Sequence, residues 1–191
     1  MRGVPVLVAG IDPSLTNTGM AVLDNGQPVY RHSYGEDGHK TDTTLIRNRR
    51  MRGLRRYIRD CFAPFDLDLL VIEGPSFGSR YGNPHERGGL YHAVIADFDV
   101  RKVPIAIIPP ATLKIWATGK GNAEKAVVMA EVKTWWPGVY VANHDIGDAL
   151  ALAAVGAFWL GDPTPFEVKD RHRTALEKVE WPKGVARCPT G

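Results

Sequence analysis

The sequence predicts an α/β domain built on one mixed five-stranded sheet flanked by helices. Three observations carry that prediction. Residues 4–12 and 67–73 are almost continuously apolar, as strands buried on both faces are. Between them, 20–23 and 28–34 bracket Asp24-Asn25-Gly26, a tight hairpin signal. Stretches with helical spacing then separate the later strands, giving the order β-β-β-α-β-α-β-α-α.

Each element has its own reason. The first strand ends at Asp12, where Pro13 and a polar run to Gly19 force a turn. Two antiparallel strands follow as a meander on one side of it. After a polar loop at 35–44, a helix from about Thr43 to Cys61 sets Leu54, Tyr57, Ile58, Cys61 and Phe62 on one face and arginines on the other, and Pro64 stops it. Leu67–Glu73 is a second buried strand, and it too ends at a carboxylate. The connection Gly74–Gly89 is long and rich in Gly, Pro, Ser and Arg, which favours a functional loop. Helix Glu86–Arg101 is apolar over more than half its circumference and requires cover on two sides. Val103–Ile108 is a short strand stopped by Pro109-Pro110. A short helix follows at Ala111–Ala117, and another at Ala123–Thr134 with Asn122 as its N-cap. The last long helix begins within 144–148 and ends at Gly161. Residues 1–160 read as the domain and 161–191 as a C-terminal tail, with a helical piece at Thr174–Glu180 and with Trp181 packing back on the body.

Composition narrows the function classes. Hydrophobic residues at 44% and charged residues at 24% describe a folded chain of 191 residues with a proper core. No apolar run approaches the ~20 residues of a membrane span, and the N-terminus reads as a strand rather than a secretory signal. Two cysteines, Cys61 and Cys188, provide neither a disulfide framework nor zinc spacing, so a reducing cytoplasm is expected. The net charge of +3 is small, but it is unevenly placed. Residues 40–60 hold Lys40 and arginines 47, 49, 50, 52, 55, 56 and 59 against only Asp42 and Asp60. One basic element on a near-neutral body points to a polyanion.

The chemistry is carried by four acids. Asp12 and Glu73 stand at the C-terminal ends of strands, the edge where ligands bind in open α/β sheets. Asp145 and Asp148 are three apart at the start of the last helix, on one face. Two readings of that pair are open. Asp145 is an N-cap with Asp148 completing a capping-box variant, or both belong to a metal site. If the first and fourth strands are parallel neighbours, all four acids converge, and without a cation their repulsion is untenable. Hard oxygen donors then suit two Mg²⁺ ions, with Mn²⁺ as a substitute, spaced roughly 4 Å apart for phosphodiester hydrolysis. Taken singly, Asp12 is equally a turn-former and Glu73 a partner for Arg80 or Arg87. His144 is expected to face solvent.

Four segments carry a family resemblance: Gly10-Ile-Asp-Pro-Ser-Leu-Thr-Asn-Thr-Gly19, Val71-Ile-Glu-Gly-Pro75, Gly119-Lys-Gly-Asn-Ala-Glu-Lys125 and Asp145-Ile-Gly-Asp-Ala-Leu-Ala-Leu-Ala153. In this order and spacing they resemble RuvC-type Holliday-junction resolvases, phage-encoded relatives included. The resemblance covers about residues 4–160. It implies an RNase H-like fold, a homodimer through helix 86–101, and metal-dependent paired nicking of four-way DNA junctions, with 5′-phosphate and 3′-OH ends and no organic cofactor. Asp12, Glu73, Asp145 and Asp148 correspond to the metal-binding acids. Lys114 and Lys125 correspond to basic residues near the scissile phosphate, and Phe77, offset by one position, to a base-stacking aromatic. Lys120, Arg80, Arg47 and Arg50 complete the candidate DNA contacts. An RNase H-like nuclease of broader substrate range and a non-catalytic junction binder are the alternatives. A two-domain actin-like ATPase, which the first motif superficially suits, does not fit in 191 residues.

Overall fold

The computed structural model describes residues 6–75 and 83–185. Phe77, Arg80 and Cys188 lie outside them. Eleven elements run in the order β1 Leu7–Asp12, β2 Thr18–Asp24, β3 Gln27–Tyr34, α1 Thr44–Phe62, β4 Leu69–Glu73, α2 Pro84–Val100, β5 Ile105–Ile108, α3 Pro110–Thr118, α4 Lys125–Trp135, α5 His144–Leu160 and α6 Asp170–Thr174. The sheet order is β3-β2-β1-β4-β5. β1, β2 and β3 pair antiparallel, and β4 and β5 add in parallel to β1. This is the RNase H-like arrangement. The hairpin turn is built as its residues dictate, with Asn25 at φ 49° and Gly26 at φ 74°.

Side-chain parity sorts each strand between two cores. Val8, Ala21, Leu23, Leu69, Val71, Ala106 and Ile108 face α5, α3 and α4. Ala9, Ile11, Met20, Val22, Leu70 and Ile72 face α1 and α2. Because alternate residues share a face, Asp12 lies on the side of Val8, and Glu73 on the side of Leu69 and Val71. Val8 pairs with Leu69 and Ile11 with Ile72, so the register runs on to set Asp12 beside Glu73.

α5 is the central helix, buried continuously from Ile146 to Phe158. It approaches the sheet at backbone distance because two positions carry no side chain. A Cβ on Gly10 would fall on the Ala149 carbonyl, and one on Gly19 on the Asp145 carbonyl. Each glycine of the first motif therefore reserves the seat of one turn of α5.

α2 buries Leu90, Tyr91, Val94 and Phe98. Its second cover is α1 of the same chain, fastened by Arg55, whose Nε and Nη2 donate to Asp97 at 2.7 and 2.5 Å. The tail packs on the opposite face. Trp181 stacks on Trp159 with centroids 4.0 Å apart, and Leu176 and His172 are buried. Its helical piece is Asp170–Thr174, earlier than the expected 174–180. His172 there inserts among Trp116, Phe158 and Phe166, while Arg171 donates to the carbonyls of Trp116 and Ala117. Tertiary packing, not local propensity, sets that boundary. Among the described residues no helix is long and apolar enough to cross a membrane.

Candidate active site

The site is assembled from three places in the chain. β1 and β4 deliver Asp12 and Glu73 side by side at the sheet edge. α5, seated on Gly10 and Gly19, delivers Asp145 and Asp148 above them. α4 begins at Lys125 and directs its ammonium between the two α5 carboxylates, 3.7 Å from Asp145 and 3.8 Å from Asp148. All four acids, Lys125 and Lys114 line one cavity of about 280 Å³. Arg87, from α2, lines it as well.

The α5 N-terminus shows that neither aspartate is the cap. Its cap is Asn143, whose side-chain oxygen accepts from the Ile146 N–H at 2.9 Å. Asp145 and Asp148 lie inside the helix, so the capping-box reading is corrected: Asn143 was already an excellent cap one residue before His144. A parallel correction applies to α4, which starts at Lys125 after Glu124 rather than after Asn122. That shift makes Lys125, already expected in the first turn, the first residue of α4, where the helix meets the acids. His144 is exposed, as expected.

Burial makes the acids costly. Asp12 and Asp148 are only 6% and 7% exposed. Burial and the neighbouring Asp12 push Glu73 up to about 9, with a hydrogen bond between the two carboxyls adding to the effect. Asp148 is pushed to about 7, by burial first and then by Asp12. Asp12 is also raised, burial outweighing the attraction of Lys125. The lysine responds in kind: burial works against its charge, but Asp12, Asp148, Asp145 and Glu73 together hold its pKa above the ordinary value. The acids therefore stand as two pairs, Asp12–Glu73 joined by a proton and Asp145–Asp148 bridged by an ammonium. As placed, no three Asp, Glu, His or Cys side chains among the described residues gather tightly enough to hold one ion. The donor set nevertheless fits a hard divalent cation. The oxygens are carboxylate, buried and mutually repelling, and a shared proton and one lysine already do part of a cation's work.

Asn17 is a residue that the sequence reading passed over. Its amide donates to Asp145 Oδ2 at 2.5 Å, so the turn after β1 grips the acid of α5. Ser14 is another, since it borders both the carboxylate cavity and a larger one of about 560 Å³ beside it. Both lie inside the first motif, which was the available signal. Of the expected DNA contacts, Lys125 reaches the acids and Lys114 lines their cavity, while Lys120 follows α3 outside that lining. Arg47 and Arg50 line the larger cavity, each paired with an acid: Arg47 with Glu86 at 3.4 Å, Arg50 with Asp42 at 2.8 Å.

Residues 8–156 match the model of the family described as crossover junction endodeoxyribonuclease RuvC. The chain belongs to the RuvC family. It is 30% identical over 152 residues to the RuvC of Erythrobacter litoralis, covering 79% of this chain and 92% of that one. It is 27% identical over 154 residues to that of Paramagnetospirillum magneticum, covering 81% and 92%. Among solved structures, RuvC of Thermus thermophilus superposes with a TM-score of 0.66 at 20% identity, over 84% of this chain and all of that one. The same protein in complex with a Holliday junction substrate gives 0.64 at 19%, over 81% and 94%. The family is one of nucleases, and the RNase H-like fold agrees with it.

Proposed function

We infer that this chain resolves four-way DNA junctions, acting as a dimer that places one nick in each of two symmetric strands. The observation that carries the reading is the four-acid cavity with Lys125 and Lys114 at its rim, in a chain that matches the RuvC family over most of its length. Nucleases of this family depend on a divalent metal. Mg²⁺, as two ions, is the cofactor proposed here, with Mn²⁺ as a substitute, held by Asp12, Glu73, Asp145 and Asp148. The metal supplies an activated water and stabilises the departing 3′ oxygen. Binding it requires Glu73 to surrender its proton, because the two pairs of acids can share one site only once cations replace the proton and the ammonium. Lys125 then moves from bridging acids to facing phosphate. At the first turn of α4 it is helped by the helix amides. Lys114 supports it across the cavity, and Lys120, Arg47 and Arg50 extend the cationic border toward flanking phosphates. Phe77, as the base-stacking aromatic, and Arg80, as a DNA contact, belong to this reading and lie outside the described residues. Attack in line leaves 5′-phosphate and 3′-OH ends.

Two symmetric cuts call for a two-fold protein, and the outward side of α2 is the proposed contact. Residues 1–160 then form the nuclease unit and 161–191 its C-terminal tail. A DNA-cutting chain with so few cysteines belongs in the cytoplasm. The test compares four-way, forked and linear duplexes side by side with Mg²⁺. Paired symmetric nicks on the four-way junction support the reading. Equal cutting of all three substrates sinks it in favour of a broader nuclease.

A further inference from the structure

The seven arginines of residues 47–59 divide into two sets once partners are counted. Arg47, Arg50, Arg55 and Arg59 are bound to Glu86, Asp42, Asp97 and Asp60. Each of these four has a carboxylate of the fold beside it. Arg49, Arg52 and Arg56 are exposed, and among the described residues none of their side chains forms an ion pair or hydrogen bond. Their spacing of three and four residues lines them along one outward stripe of α1.

Folding does not account for this stripe. From Thr44 to Arg59 the helix contains no acid, and its first turn has none to meet the helix dipole. Arg49, Arg52 and Arg56 repel one another at helical spacing, and Arg49 lies in the half of the helix where the dipole disfavours a cation. A merely solvated face would interleave glutamates. α1 begins beside the catalytic edge: Arg47 and Arg50, in its first turns, line the 560 Å³ cavity, which shares Ser14 and Arg87 with the carboxylate cavity, and Arg49, the first residue of the stripe, lines a neighbouring cavity that shares Arg50 with it. α1 then runs away from the site along the α2 face of the sheet. From Arg49 to Arg56 the rise is roughly 10 Å at 1.5 Å per residue, comparable with three base-pair steps of about 3.4 Å.

We propose that Arg49, Arg52 and Arg56 form a phosphate rail that holds one duplex arm of the DNA as it leaves the catalytic edge. The occupant is double-stranded DNA read by charge alone, without base contacts. The proposal rests on the nuclease reading for its substrate, but its test does not depend on cutting.

The decisive experiment measures binding of the full-length chain to a linear duplex and to a four-way junction across a salt series without divalent metal. The variant is Arg49→Gln/Arg52→Gln/Arg56→Gln. Each lost phosphate contact lowers the slope of log K against log salt by about 0.9, so the triple variant should lower it by nearly three on both substrates. Its melting temperature should not fall, since none of the three holds a partner and their mutual repulsion is relieved. A second variant, with lysine at the same positions, should keep the slope, because a rail asks only for positive charge. An unchanged slope in the glutamine variant overturns the proposal, and so does a lysine variant that loses as much slope as the glutamine one. Wild-type protein that binds with the expected slope yet never nicks a junction with Mg²⁺ would instead count against the nuclease assignment and leave the rail standing.

Discussion

The carboxylate edge and the α1 stripe are both clusters of like charge, yet only the first distorts the chemistry of its members. Asp12 and Asp148 are nearly inaccessible, so burial adds to their repulsion and the acids hold protons well above the normal range. The arginines of the stripe stand in water, where a Debye length of about 8 Å screens each from the next. Burial, rather than the number of charges, decides which cluster needs a cation to exist and which merely attracts one. On the proposed readings, the first binds a cation at a point and the second grips phosphate with a strength that depends on salt.

The largest effect expected along this line comes from Asp148→Asn. Nicking should fall by 10³-fold or more while junction binding survives, checked by single-turnover cleavage and a binding titration. Near-normal cleavage in that variant would show that the buried acids are not the site. The same substitution removes a costly buried charge, so the metal-free variant should be more stable than wild type at pH 8, by on the order of 1–3 kcal/mol.

A second test uses pH. Asp148 and Glu73 have folded pKa values of about 7 and 9, above the ordinary 3.8 and 4.5. The folded protein therefore keeps protons that the unfolded chain has released, and metal-free stability declines as pH rises from about 4 through 7 and on toward 9. Thermal melts in a chelator should follow that slope. Mg²⁺ should raise the melting temperature more at pH 8 than at pH 5, and equal gains at both would argue against carboxylate ligation.

The tail supplies the opposite sign. His172 is 1% exposed among aromatic rings, and its pKa is lowered to about 4, by burial first and then by the adjacent Arg171. Its Nδ1 accepts from the Lys169 N–H, so the neutral ring is the folded form. Its contribution is complete above pH 6.5 and is lost as pH falls toward 4. His172→Phe should flatten that part of the acid melting profile, by about 1–2 kcal/mol at most, as differential scanning across pH 4–7 would record.

The smallest effect belongs to Asn17→Ala. Loss of its hydrogen bond to Asp145 should lower kcat about tenfold and weaken the Mg²⁺-induced rise in melting temperature, with little change in KM for DNA. Asn17→Ser, which keeps a donor, should recover part of both.

Much of this was legible in the chain. Almost continuous apolar runs ending in Asp12 and Glu73 declared buried strands with acids at their ends, and Asn25-Gly26 declared the hairpin, because side-chain period and turn chemistry are local properties. The family motifs tied those acids to Asp145 and Asp148. What the sequence left open were matters of partner choice. Whether Asp145 caps α5 was open, and in the fold the Asn143 side chain takes that place by accepting from the Ile146 N–H. Seven arginines look alike in one dimension. Whether a charge is spent on Asp97 or remains free on Arg52 depends on which helix lies across from it, and that is determined by three-dimensional packing alone.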